Sequence, residues 1–204
     1  ENIEKFFGFG ERGGPEERTH ERYDVIKPPV FPFSRHHERF DLRVEPREAN
    51  RFGWVVEYDP RNPTSRPVKR TALGRVLRES ATVTLAPSGQ VVVYSGDDRK
   101  FEYIYRFVSR DRFDPSQPDA ARDLLDDGAL YVAKFEVDGR LVWLPLVYGQ
   151  GGLTEANGFS SQVDVLIEAR RAADVVGATP MDRPEDIDVS PVSGRVYVML
   201  TKNP

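Results

Sequence analysis

The sequence contains no cysteine. That absence removes disulfides, thiolate metal sites and thiol nucleophiles together, and leaves the redox compartment open. No apolar run approaches the ~18 residues that a membrane-spanning helix needs. The opening residues, Glu1-Asn2-Ile3-Glu4-Lys5, lack the basic and apolar regions of a signal peptide, so any export signal is expected to have been removed or to lie outside this segment. Basic charge is not in excess. The 29 Lys and Arg against 33 Asp and Glu give a net charge of −4, which argues against a general nucleic-acid binder with its concentrated basic surface. A nucleophile elbow of the Gly-x-Ser-x-Gly type, a P-loop and a His-Glu-x-x-His helix are all missing. Histidine is scarce as well: His20, His36 and His37 all fall in one polar stretch. Adjacent rings such as His36-His37 rarely reach one ion, so a solvated pair is the expectation there.

Within 204 residues, 39% of them hydrophobic, there is room for one domain or a piece of a larger one. Residues 11–50 are the most polar stretch and are interrupted by Pro15, Pro28, Pro29, Pro32 and Pro46. They read as a long surface excursion rather than a regular element, of a length that usually has a function or belongs to a larger assembly. Phe6-Phe7-Gly8-Phe9, just before, is an apolar knot in need of a packing partner. From residue 53 the pattern turns to short β runs. Gly53 to Tyr58 ends at Asp59-Pro60, Phe101 to Val108 is β-rich, and three pairs of runs flank turns. These pairs are Ala81–Leu85 with Val91–Tyr94 around Pro87-Ser88-Gly89, Ala129–Ala133 with Leu141–Leu144 around Asp138-Gly139, and Ile187–Val189 with Arg195–Leu200 around Ser193-Gly194. Between Ser160 and Val176 the period lengthens to that of one amphipathic helix, with Ser160 or Ser161 as N-cap and Gly177 as the stop.

The chain also resembles itself. Glu79 and Glu185 each precede a strand, a turn and a strand, and a third copy follows Leu125-Asp126-Asp127-Gly128. Such repeats predict a mainly β fold: a partial β-propeller of about three blades, with one inserted helix and a long polar loop. A β-sandwich would show the same alternation of strands and turns. Three repeats do not close a ring of ~4–8 blades.

Asp97-Asp98 reads either as a polar turn or as oxygen ligands for a hard cation, and Asp126-Asp127-Gly128 as a turn. Glu79 and Glu185 are more informative. Matching positions on different blades point toward one axis, where two carboxylates repel unless a cation lies between them. Arg183 stands two residues before Glu185, with Pro184 fixing the backbone between them. A guanidinium beside a metal cluster suits a phosphate, whose oxygens its planar fork can hold in pairs. The alternative is an ordinary ion pair between Glu79 and Arg183.

Longer words then become recognisable. Asn50-Arg51-Phe52-Gly53-Trp54-Val55-Val56-Glu57, Pro67-Val68-Lys69-Arg70-Thr71-Ala72-Leu73-Gly74-Arg75, Val93-Tyr94-Ser95-Gly96-Asp97-Asp98, Phe101-Glu102-Tyr103-Ile104-Tyr105-Arg106-Phe107-Val108 and Pro180-Met181-Asp182-Arg183-Pro184-Glu185 resemble the PhoX-type alkaline phosphatases. The likeness runs through residues 50–203 and is looser before them. It implies a larger exported bacterial enzyme, periplasmic or extracellular, built as a β-propeller that hydrolyses small phosphomonoesters using calcium and iron. It also implies that Arg183 contacts the phosphate, with Glu185 and Glu79 as metal ligands and no protein nucleophile. Relatives usually read His-Glu-Gly where this chain has Arg78-Glu79-Ser80. Glu1-Asn2 look like the tail of the family's Thr-Cys-Glu-Glu-Asn-like iron motif, so the chain is expected to be a middle fragment of a single larger domain. On this expectation it is little active alone, needs the rest of its propeller as partner, and lacks further acidic ligands that lie after Pro204. Two other readings stay open: a noncatalytic propeller segment that binds a partner, and a calcium-dependent lactonase-like hydrolase.

Overall fold

Valine-rich runs punctuated by glycine and aspartate turns dominate the computed structural model, which describes residues 2–8, 16–26, 28–117 and 120–202. Two compact units emerge, Glu1–Gly53 and Trp54–Pro204.

The first unit contains more regular structure than its prolines suggest. Helix α1 (Glu17–Arg22) is accompanied by single 3-10 turns at Ile3–Lys5, Pro32–Arg35, Glu38–Phe40 and Glu48–Arg51. Proline fits the first turn of Pro32–Arg35 because its missing N–H is not needed there. The phenylalanines find each other. Phe6 packs on Phe31 and Phe33, and Phe7 on Phe40 and Phe52, with ring centroids 5.0–5.5 Å apart. Phe9 lies outside the described residues. His20 is buried with Nε2 2.7 Å from the Pro46 carbonyl, whereas His36 and His37 are exposed.

In the second unit, strand β1 (Val55–Glu57) pairs antiparallel with β2 (Val68–Arg70). A five-stranded antiparallel sheet follows: β3 (Thr82–Leu85), β4 (Gln90–Gly96), β6 (Ile104–Arg112), β7 (Gly128–Phe135) and β8 (Leu141–Pro145), in that spatial order. The short strand β5 (Lys100–Glu102) leaves this sheet to pair with β9 (Met181–Asp182), and β10 (Pro184–Val189) forms a hairpin with β11 (Val196–Leu200). The three expected turn-flanked pairs are therefore the hairpins β3–β4, β7–β8 and β10–β11. Two of them share one sheet and only the third stands apart, so the internal copies are not one sheet each. Mainly β is the right class.

Side chains alternate across the large sheet with period two. One face carries Val91, Val93, Tyr105, Phe107, Leu130 and Val132 into a core closed by Val165, Ala169, Ala172 and Ala173. The opposite face presents Ile104 and Ala133 to Ile187 of the β10–β11 hairpin, with Tyr94, Trp143, Met181 and Val198 at the margin. The one expected helix is two: α2 (Gln162–Ile167), whose N-cap Ser161 accepts the Asp164 N–H, and α3 (Ala169–Val176), ended by Gly177 at φ 75°. The break falls at Glu168, where Arg75 captures the end of α2. Its N–H bonds the Leu166 carbonyl at 2.9 Å and its guanidinium approaches that of Ile167 at 3.5 Å. No helix among the described residues is long and apolar enough to cross a membrane.

Candidate functional site

Strand β4 runs out into Asp97-Asp98, and the two carboxylates part company. Asp97 is fully buried and takes two charge-assisted hydrogen bonds from Arg170 of α3, Nε to Oδ2 at 2.7 Å and Nη2 to Oδ1 at 2.6 Å. Glu102 Oε1 lies 3.7 Å from the same guanidinium. The Asp97 N–H bonds the Tyr103 carbonyl and the Asp98 N–H that of Leu77, so the dipeptide is held by its backbone too. Asp98 turns the other way. Its buried carboxylate meets Arg183, with Nε 2.7 Å from Oδ1 and Nη2 donating to Oδ2 at 3.1 Å.

Arg183 occupies the single residue between β9 and β10 at φ 61°, a left-handed conformation uncommon outside glycine. Its N–H bonds the Met181 carbonyl, and its own carbonyl accepts the Thr201 N–H. Neighbouring Asp182 accepts the Lys202 N–H. A conformation costing about 1–2 kcal/mol is thus held by its surroundings. The side chain is 38% exposed and reaches Glu185 with Nη1 2.9 Å from Oε1. Thr201 Oγ1 donates to that same oxygen at 2.6 Å. The Thr201 hydroxyl, with help from the Arg183 charge and against partial desolvation, holds the Glu185 carboxyl below its usual range. Burial raises that of Asp98, opposed by Arg183 and reinforced by the neighbouring Glu185.

Glu79 is exposed, and its flanking residues place it. Arg78 bridges to Asp97 through its backbone and sends Nη2 to the Leu73 and Gly74 carbonyls, each at 2.9 Å. The Ser80 hydroxyl accepts the Ile187 N–H at 3.2 Å and faces the Glu185 carbonyl at 3.5 Å. Side-chain contact therefore joins Arg183, Glu185, Asp98 and Thr201, while the residues flanking Glu79 touch Asp97, Glu185 and Ile187. Asp126 and Asp127 lie elsewhere, paired with Arg70 at 2.6 Å and Arg110 at 2.8 Å. No group of three or more His, Cys, Asp or Glu able to hold a metal ion forms among the described residues.

Sequence reasoning named Asp98 but weighed it as a turn or a cation ligand, whereas it is the partner of Arg183. Thr201 was missed. A lone threonine after a strand carries no signal until β11 is paired with β10.

A sequence profile of the alkaline phosphatase PhoX family matches residues 1–204. The chain belongs to the PhoX family. A solved structure of Pseudomonas fluorescens PhoX in complex with vanadate, a transition state analogue, matches it with a TM-score of 0.89 at 44% sequence identity. That match covers 100% of this chain and 37% of the Pseudomonas chain, so the residues described above span little more than a third of that PhoX. No curated protein matched the chain.

Proposed function

We propose that the complete protein containing this chain is a phosphatase that hydrolyses small phosphomonoesters, with Arg183 binding the substrate phosphate and Glu79 and Glu185 serving as metal ligands. The observation that carries this reading is Arg183 itself. A strained backbone presents its partly exposed side chain between Asp98 and Glu185 in a PhoX-family chain. The 44% identity to a PhoX solved with vanadate supports the same chemistry.

A guanidinium offers five N–H donors in a fixed fork. Asp98 occupies the Nε side, so an incoming phosphate takes the outer edge and displaces Glu185 from Nη1. Two parallel hydrogen bonds then orient the ester and strengthen as charge gathers on the phosphoryl oxygens. Glu79 and Glu185 are hard oxygen donors that fit calcium and iron in chemistry and fall short of a full set in number. When bound, such metals supply Lewis-acid charge at the phosphate. Further ligands belong to the part of the longer protein that this chain does not span. The same reading makes the antiparallel sheets part of a β-propeller in one larger domain. It also makes the enzyme an exported one, working in the periplasm or outside the cell.

The test is Arg183→Ala in the complete protein, assayed on a chromogenic phosphomonoester with and without a calcium chelator. The expected loss in kcat/KM is about 100-fold or more, the scale of removing one preorganised charge-stabilising donor group. Undiminished activity overturns the assignment, and a wild-type protein inactive on the ester overturns the reading as a whole.

A further inference from the structure

The arginine at the centre of the site is aimed by acidic groups anchored in the core. Asp98 is 7% exposed. Its Oδ1 lies 2.7 Å from Arg183 Nε, and its carboxyl also neighbours that of Glu185. On the guanidinium its two oxygens take the Nε–Nη2 side of the fork. Glu185, on Nη1, is the more exposed partner, at 21% of its side chain against 6% for Asp98. One clamp is therefore buried and fixed while the other faces the open edge.

The fixed clamp has its own support. Asp97, the preceding residue, is 0% exposed and grips Arg170, itself 2% exposed, through two short bonds. A buried ion pair contributes little net stability over an apolar pair of the same volume, so stability alone does not explain it. What the pair does impose is geometry: a bidentate fork from helix α3 leaves Asp97 one orientation, and the next peptide carries that orientation to Asp98. We propose that Asp98, and behind it the buried Asp97–Arg170 pair, are positioning residues that hold the guanidinium of Arg183 with its Nη1–Nη2 edge turned outward to an oxyanion. This inference rests on the phosphate-binding role assigned to Arg183 above.

A double-mutant cycle in the complete protein tests it. Asp98→Asn keeps the shape and removes the charge. It should lower kcat/KM for a chromogenic phosphomonoester by about tenfold, since misplacing a binding group by a fraction of an ångström has effects of that order. It should also weaken inhibition by inorganic phosphate by a similar factor. In an Arg183→Ala background the same change should cost less than twofold, because nothing is left to aim. A merely structural Asp98 would lower activity equally in both backgrounds, and that result overturns the proposal, as does wild-type kcat/KM in Asp98→Asn alone. If Asp98→Asn fails to fold, Arg170→Lys, which keeps the buried charge and loses the fork, enters the same cycle with the same two outcomes. An Arg183→Ala enzyme as active as wild type would instead defeat the functional reading. An impaired Arg183→Ala enzyme with an indifferent Asp98→Asn defeats the positioning proposal only.

Discussion

Gly96 is where the large sheet touches the site, and adding one methyl group there is a quantitative test of how tightly fold and site are coupled. A Cβ on Gly96 would stand 2.5 Å from both the Pro184 and Glu185 carbonyl oxygens and 2.7 Å from the Pro184 carbonyl carbon. An ordinary carbon–oxygen contact is about 3.3 Å, so the Pro184–Glu185 segment must retreat by roughly 0.8 Å. It has little room to do so. β10 is held to β11 at Pro184 opposite Leu200 and, beyond a register irregularity, at Ile187 opposite Val198, and Ser80 holds the Ile187 N–H. Gly96 does not use the left-handed region, so alanine is not strained in its own backbone and gains about 0.5–1 kcal/mol by restricting the unfolded chain. Overpacking by one carbon costs about 1–3 kcal/mol, which leaves Gly96→Ala destabilised by roughly 1–2 kcal/mol. The larger effect is on chemistry. A shift approaching 1 Å in the segment bearing Arg183 and Glu185 should lower kcat/KM by about 10- to 100-fold. Steady-state kinetics on a chromogenic phosphomonoester, run well below the melting temperature of the variant, separate the two effects. Gly96→Ala with wild-type kcat/KM would refute the coupling, because it would mean that β10 gives way without carrying the site with it.

Two further outcomes concern stability and are read by chemical denaturation. Removing either partner of the Asp97–Arg170 pair leaves a buried charge uncompensated, at about 3–5 kcal/mol. Arg170→Met should be the more damaging change because it strands Asp97 beside Glu102, whereas Asp97→Asn leaves Glu102 3.7 Å from the arginine; the reverse order would contradict this account. Asp164 accepts from the Ser160 hydroxyl and N–H at the start of α2, and that hydroxyl, more than any other group, holds its carboxyl below the ordinary value of 3.8. A depressed carboxyl stabilises above its unfolded pKa and loses that contribution as pH falls through the folded one. Asp164→Ala should therefore cost about 1 kcal/mol near neutrality, and its gap from wild type should close below pH 4. A gap that persists in acid would show that the carboxylate is not the source.

Sequence patterns announced themselves where the physics is local. Pro87-Ser88-Gly89 and Asp138-Gly139 are turns because Gly89 and Gly139 sit at φ 87° and 83°, conformations open to glycine, and the valine runs beside them became paired strands. Ser161 and Gly177 marked the helical segment because capping needs only neighbours. What was hidden depends on contacts across long stretches of chain. The break at Glu168 is made by Arg75, and no periodicity within 160–176 could foretell it. The first unit looked structureless because proline and charge conceal a cluster whose members, Phe6, Phe31, Phe33 and Phe40, come together only when folded. In the site, Arg183 and Glu185 were legible as a local word. Their partners Asp98 and Thr201 were not: Asp98 reaches Arg183 from 85 residues away, and Thr201, just past the β10–β11 hairpin, belongs to no pattern of its own.

Charge at the site says what else the proposed reaction requires. Asp98 and Glu185 both pair with a single arginine, so the local balance is acidic even with the Asp98 carboxyl raised by burial. A phosphomonoester is itself an anion, and unlike charges attract at this range while like charges repel. Arg183 alone therefore cannot draw substrate into this neighbourhood against the carboxylates around it. Either further positive charge joins them, or the arginine remains committed to Asp98 and Glu185 as a structural pair. The chelator arm of the Arg183→Ala experiment distinguishes these cases. A phosphatase whose activity ignores chelation would need a different source of compensating charge, and the metal-ligand role of Glu79 and Glu185 would fall with it.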